Sequence, residues 1–141
     1  MQIRQIVPGF AVAPQIEPED MADLAAMGFR TIINNRPDSE VDPYFAHEAM
    51  AAAAAAAGLA YHRLPYSPRH MTPELVEGFS AALGAAEAPV LAYCRSGTRS
   101  SFLWAMAEAP RRPLAEIIAL GAAAGYDLSD LSDELRERGA R

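Results

Sequence analysis

Four short apolar runs, Phe10–Ala13, Thr31–Asn34, Leu59–Leu64 and Pro89–Tyr93, are each separated from the next by a segment long enough to hold a helix. Antiparallel neighbours need only a hairpin of two or so residues, whereas parallel neighbours need a crossover of a dozen or more. The spacing therefore predicts an α/β domain: a mostly parallel central sheet flanked by helices, with Phe10–Ala13 as its first strand. The intervening segments carry helix signals of their own. From Pro18, apolar Met21, Leu24, Ala25 and Met27 recur at helical spacing, and Gly28 stops the pattern. A second helix is expected from about Pro43 through the alanine run Ala51–Ala57, since alanine is the best helix former. Thr72 is a good N-cap with Pro73 at the first helical position, predicting a helix to about Ala86. Three more helices are expected, at Ser100–Ala109, Leu114–Ala124 and Ser129–Arg138. With 141 residues, 51% of them hydrophobic, the chain is expected to form one domain over 1–141 with a real core.

Composition narrows the function classes. The net charge is −6 and all 12 cations are arginine, with no basic run interleaved with aromatics. That argues against a nucleic-acid partner. The one cysteine excludes an intrachain disulfide and a Cys-rich zinc site. His47 and His62 have no partners at metal-ligand spacing, so no metal and no cofactor are expected. No stretch approaches an apolar span of roughly 20 residues, and the N-terminal residues lack a signal-peptide core. The expectation is a cytoplasmic protein without a membrane partner.

The segment Tyr93-Cys94-Arg95-Ser96-Gly97-Thr98-Arg99-Ser100 carries the chemistry. A buried strand delivers the cysteine to the sheet end where ligands sit in open α/β folds. Small polar residues and a glycine then lead into a helix. A loop wrapped around a helix N-terminus turns backbone N–H groups inward, making an anion cradle from Arg95, Ser96, Gly97, Thr98 and Ser100. The same field favours the thiolate form of Cys94. Arg99 is placed to hold an oxyanion with its planar fork, and Arg95 to attract an anionic substrate. Ser100 is expected to cap the helix and to donate to the thiolate or to the leaving sulfur. A lone cysteine is often a small core hydrophobe, but two flanking arginines make no packing sense there.

These residues resemble the active-site loop of rhodanese-type sulfurtransferases and the phosphate loop of cysteine-dependent phosphatases. The phosphatase loop keeps one residue more than the four found here between Cys94 and Arg99. The loop is therefore rhodanese-sized. Gly28-Phe29-Arg30-Thr31-Ile32-Ile33-Asn34 leading to Arg36-Pro37-Asp38, the stretch Ala57–Tyr61 and Gly125-Tyr126-Asp127-Leu128 add to the likeness. Together with the cysteine loop they resemble the bacterial beta-lactamase-hydrolase-like, phosphatase-like domain family. Asn35 stands where that pattern has leucine. The resemblance implies a dual-specificity-phosphatase-like fold with a rhodanese-like loop. It also implies a link to a persulfide dioxygenase-type partner, to which some members are fused.

An alkyl phosphatase needs a general acid. The loop Leu64–Met71 offers no carboxylate. His70 and Tyr66 are substitutes there, and Asp38 is a further candidate, although a solvated loop and an ordinary turn explain them as well. Arg36 is expected either to widen the positive mouth or to pair with Asp38 or Glu40. Phe102 and Trp104 are expected in the core. The preferred expectation is sulfur transfer through a Cys94 persulfide from a small anionic donor, since a sulfur leaving group needs no acid. Hydrolysis of phosphomonoesters through a cysteinyl-phosphate is the alternative, and an anion- or partner-binding module is a third reading.

Overall fold

The structure, a computed structural model, describes residues 1–141. Five strands form one sheet: β1 (Arg4–Val7), β2 (Phe10–Ala13), β3 (Thr31–Asn34), β4 (Ala60–Arg63) and β5 (Val90–Tyr93). Their order is β1-β2-β5-β3-β4, parallel throughout except for β1 against β2. The mostly parallel sheet matches the spacing of the runs. The first strand is instead Arg4–Val7, joined to β2 by a tight turn at Gly9 (φ 88°). Its first two residues are exposed, so the segment lacks the apolar run that marks the others.

Strand β5 is central, with Leu91 opposite both Ala11 and Ile32. Every residue of β2, β3 and β5 is buried, as expected for strands covered on both faces. Alternate side chains serve different layers. Ala11, Ala13, Ile32, Leu91 and Tyr93 pack against α1 (Asp20–Ala26) and α2 (His47–Ala56) through Met21, Leu24, Met50 and Ala54. Phe10, Val12, Ile33, Val90 and Ala92 face the other layer. That layer holds α3 (Pro73–Ala85), α4 (Thr98–Glu108), α5 (Leu114–Ala123) and α6 (Ser132–Glu137). Phe10 sits at its centre, stacked on Trp104 at 6.4 Å and edge-on to Phe79 at 6.2 Å.

Helix α3 begins as expected, with the Leu75 N–H donating to the Thr72 hydroxyl at 3.2 Å. The second predicted helix differs at its start. Pro43–Phe45 is a separate 3-10 turn, Ala46 is extended, and α2 begins only at His47, whose N–H donates to Asp38 Oδ1 at 2.8 Å. A borrowed carboxylate thus satisfies a donor that the local sequence leaves open. The last predicted helix likewise divides into a 3-10 turn at Ser129–Leu131 and α6. No helix is long and apolar enough to cross a membrane.

Candidate active site

The crossover helices α1 and α2 lie on one face and α3 on the other, so β5 is the strand at which the winding reverses. In open α/β sheets a crevice forms there, beyond the C-terminal strand ends. Cys94 follows β5 directly at that edge and is wholly buried. The chain then turns at Gly97, which caps α4 in the left-handed region (φ 91°). The Gly97 N–H donates to Cys94 Sγ at 3.1 Å. The amides of Arg95, Ser96, Arg99 and Ser100 take part in none of the chain's hydrogen bonds. They are the unpaired donors that a helix N-terminus offers an anion. A Cβ at Gly97 would overlap the Tyr126 hydroxyl, which itself donates to the Ser96 carbonyl at 3.2 Å. A residue from beyond α5 therefore braces the loop.

Ser100 does not serve the sulfur. Its hydroxyl donates to Asn35 Oδ1 at 2.8 Å, and both residues are fully buried. The cap position belongs to Gly97, so the expected capping role of Ser100 is corrected as well. Asn35 also donates through Nδ2 to the Leu64 carbonyl at 2.8 Å, while its backbone bridges Tyr93 and Tyr66. One buried side chain thus joins the loops after β3 and β4 to the first turn of α4. Losing either polar partner would strand the other at a cost of about 1–3 kcal/mol.

Arg99 points its fork at Glu40. Nη1 and Nη2 donate to the two carboxylate oxygens at 2.9 and 2.7 Å, and Nη1 also donates to the Tyr66 carbonyl. The Nε–H and the second Nη2–H, on the side of the fork, are left for another acceptor. Arg36 meets the same carboxylate at 3.3 Å and the Glu40 carbonyl at 3.2 Å. It therefore pairs with Glu40 and also lines the mouth, combining the two roles expected of it. The Arg99 hydrogen bonds, above all, hold the Glu40 carboxyl below its ordinary value. The sign of the linkage follows. Ionised Glu40 favours the folded chain, fully above about 4.5 and progressively less as pH falls through the lower folded value. Glu40→Gln is expected to melt earlier than the parent at neutral pH, with the two melting temperatures converging in acid. A gap that stays constant into strong acid would contradict this pairing.

Above the loop lies a basin of about 860 Å³, lined by Arg36, Glu40, Tyr66, Arg69, Arg95 and Arg99 among others. Four arginines face one carboxylate, on a chain of net charge −6. Ser96 and Thr98 also line it, their hydroxyls 3.0 Å apart. Phe102, expected in the core, is half-buried, packing against the core on one side and lining the basin on the other, while Trp104 is fully buried. Burial raises the Tyr66 phenol above its ordinary value. The structure does not bring Asp38 or His70 into the basin. Asp38 holds the start of α2 and pairs with Arg63 at 3.4 Å, and exposed His70 bonds the Pro68 carbonyl at 2.9 Å. The contributions of Glu40 and Tyr126 to the loop were not legible beforehand, because each partner is distant in sequence.

A sheet of this order, with a cysteine at its central strand end and an arginine on the following helix, has a cysteine-phosphatase-type fold. The chain belongs to the family described as Beta-lactamase hydrolase-like protein, phosphatase-like domain, which matches residues 2–111. A Beta-lactamase hydrolase-like protein of Xylella fastidiosa is 37% identical over 130 residues, 91% of this chain. The chain spans 30% of that relative's length. The crystal structure of a candidate phosphatase from Neisseria meningitidis is 35% identical, with a TM-score of 0.85, covering 98% of this chain and 99% of its own. A variant of P. aeruginosa TpbA, solved in complex with pTyr, shares the fold at 18% identity and a TM-score of 0.66, covering 96% of this chain and 88% of its own. The persulfide dioxygenase partner finds no support in these likenesses.

Proposed function

We propose that the chain is a cysteine-dependent phosphatase acting through a cysteinyl-phosphate, with Cys94 as nucleophile. The observation that carries this reading is the set of unused donors in the loop that follows Cys94: four backbone amides and the free side of the Arg99 fork, beside the Gly97 N–H that already meets the sulfur. Donors fixed in place before the reaction stabilise developing charge on equatorial phosphoryl oxygens without reorganisation. TpbA, which shares the fold, supports the substrate class through its pTyr complex. The phosphoryl group enters from the basin above the loop. Sγ then attacks phosphorus, the P–O ester bond breaks, and the electron pair leaves on oxygen. Water next cleaves the S–P bond, releasing phosphate and restoring the thiolate.

The leaving oxygen gets little help. Glu40 is the one carboxylate in the basin, and its arginines keep it ionised. The Tyr66 phenol is the protonated donor that remains there. Aryl phosphates are therefore expected to be hydrolysed at least about tenfold faster than alkyl phosphates. The test is phosphate release from 4-nitrophenyl phosphate, phosphotyrosine and an alkyl phosphate, with Cys94→Ser as control. The four-residue spacing between Cys94 and Arg99 favours a second reading, sulfur transfer through a Cys94 persulfide. Thiosulfate or a persulfide would then add one sulfur mass to the intact protein, which cyanide removes and Cys94→Ser lacks. That gain without any phosphate release would replace the phosphatase reading.

A further inference from the structure

The basin holds more positive charge than one phosphate monoester uses. Arg36 and Arg99 share the Glu40 carboxylate. Arg69 and Arg95 line the same space, yet neither makes an ion pair or side-chain hydrogen bond. The chain has more acidic than basic residues, 18 against 12. Two unpaired arginines at one mouth are therefore not explained by a shortage of carboxylates. Arg69 also holds a left-handed backbone (φ 66°), the one non-glycine residue that does so. Such a conformation costs free energy and persists where the surroundings over-determine it. A second feature is that the basin's one carboxyl group, Glu40, is tied up by two arginines and cannot serve the leaving oxygen, as noted above.

Both features fit one substrate chemistry. We infer that the substrate is a phosphoanhydride, a diphosphate group whose terminal phosphoryl passes to Cys94 while Arg69 and Arg95 hold the inner phosphate. This rests on the phosphatase reading and names its substrate class. Sγ attacks the terminal phosphorus, forming the S–P bond as the anhydride P–O bond breaks. The electron pair stays on the bridging oxygen of the departing phosphate. That group is stable as an anion near neutrality, its second pKa being about 6, so no proton donor is required. Water then cleaves the S–P bond, and its proton leaves with inorganic phosphate. The departing phosphate keeps its charge in contact with arginine forks, which match phosphate geometry.

The test measures binding and turnover separately. Calorimetry on the Cys94→Ser chain uses inorganic phosphate and inorganic pyrophosphate as probes. Pyrophosphate is expected to bind at least about tenfold more tightly, as one further charge-assisted contact would give. In the Arg69→Gln/Arg95→Gln background the preference should fall to about threefold or less. Arg69→Gln alone should give an intermediate ratio, and its exposed position makes misfolding no explanation for a change. Equal affinities in the Cys94→Ser chain, or a preference that survives the double substitution, would overturn the inference. Phosphate release from 4-nitrophenyl phosphate by the parent chain reports on the phosphatase reading independently. Turnover without pyrophosphate preference sinks the diphosphate subsite alone. Pyrophosphate preference without turnover of any phosphoryl compound keeps the subsite and removes the hydrolytic reading.

Discussion

Arg99→Lys is expected to lower kcat/KM for 4-nitrophenyl phosphate by roughly two to three orders of magnitude, although charge is conserved. Removing a fixed donor to developing oxyanion charge costs about 10²–10³ in rate. Lysine also cannot reproduce what this side chain does at once. The end of the fork grips both Glu40 oxygens while the Tyr66 carbonyl takes a third proton, leaving the side of the fork for phosphate. An ammonium is a point charge without that division of labour. Arg95 makes no ion pair or side-chain hydrogen bond and is exposed, so Arg95→Lys should lose less than about tenfold. Steady-state kinetics on both variants would decide, and the opposite ranking would exchange the roles assigned to the two arginines.

Gly97→Ala is expected to be the most damaging single methyl group in the chain. A left-handed backbone costs an L-residue roughly 1–2 kcal/mol, and overpacking a filled site adds about 1–3. Both apply, because the new Cβ would meet the Tyr126 ring, with Cζ 2.9 Å away and the hydroxyl overlapping. A drop of several degrees in melting temperature and near-complete loss of turnover should accompany each other. Gly97→Ala/Tyr126→Leu should recover the crowding part but not the backbone part. Full rescue would show that conformation was never limiting, and no rescue that the crowding was not.

Strands β2 and β3 were legible residue by residue, because each is a compact apolar run bounded by turn residues. The cysteine loop was legible for a similar reason: its chemistry is contiguous. What escaped depends on partners far along the chain. Glu40 read as part of a turn, yet its function is set by Arg99, 59 positions away. Ser100 read as a cap because Asn35, 65 positions distant, is invisible to local pattern. Asn35 itself read as a minor departure from a family pattern, whereas its amide is the junction of three segments. Phe102 read as wholly core because it opens the continuous apolar run Phe102–Ala107 of α4, and only tertiary placement shows that it also meets the basin. Strand β1 escaped because its exposed leading residues erase the apolar run.

The position of β5 has a consequence for how the protein emerges during synthesis. The strand that leads into Cys94 is the last made of the five and the most central, inserted between β2 and β3. Until residue 93 has left the ribosome, β2 and β3 have no common neighbour. Each then presents an open edge of a strand that is fully buried in the finished fold, the kind that invites pairing with other chains. Chains ending before Val90 should therefore be insoluble, whereas released chains that run through α4 can close the sheet. Order of addition thus makes the nucleophile and the closure of the hydrophobic sheet arrive together.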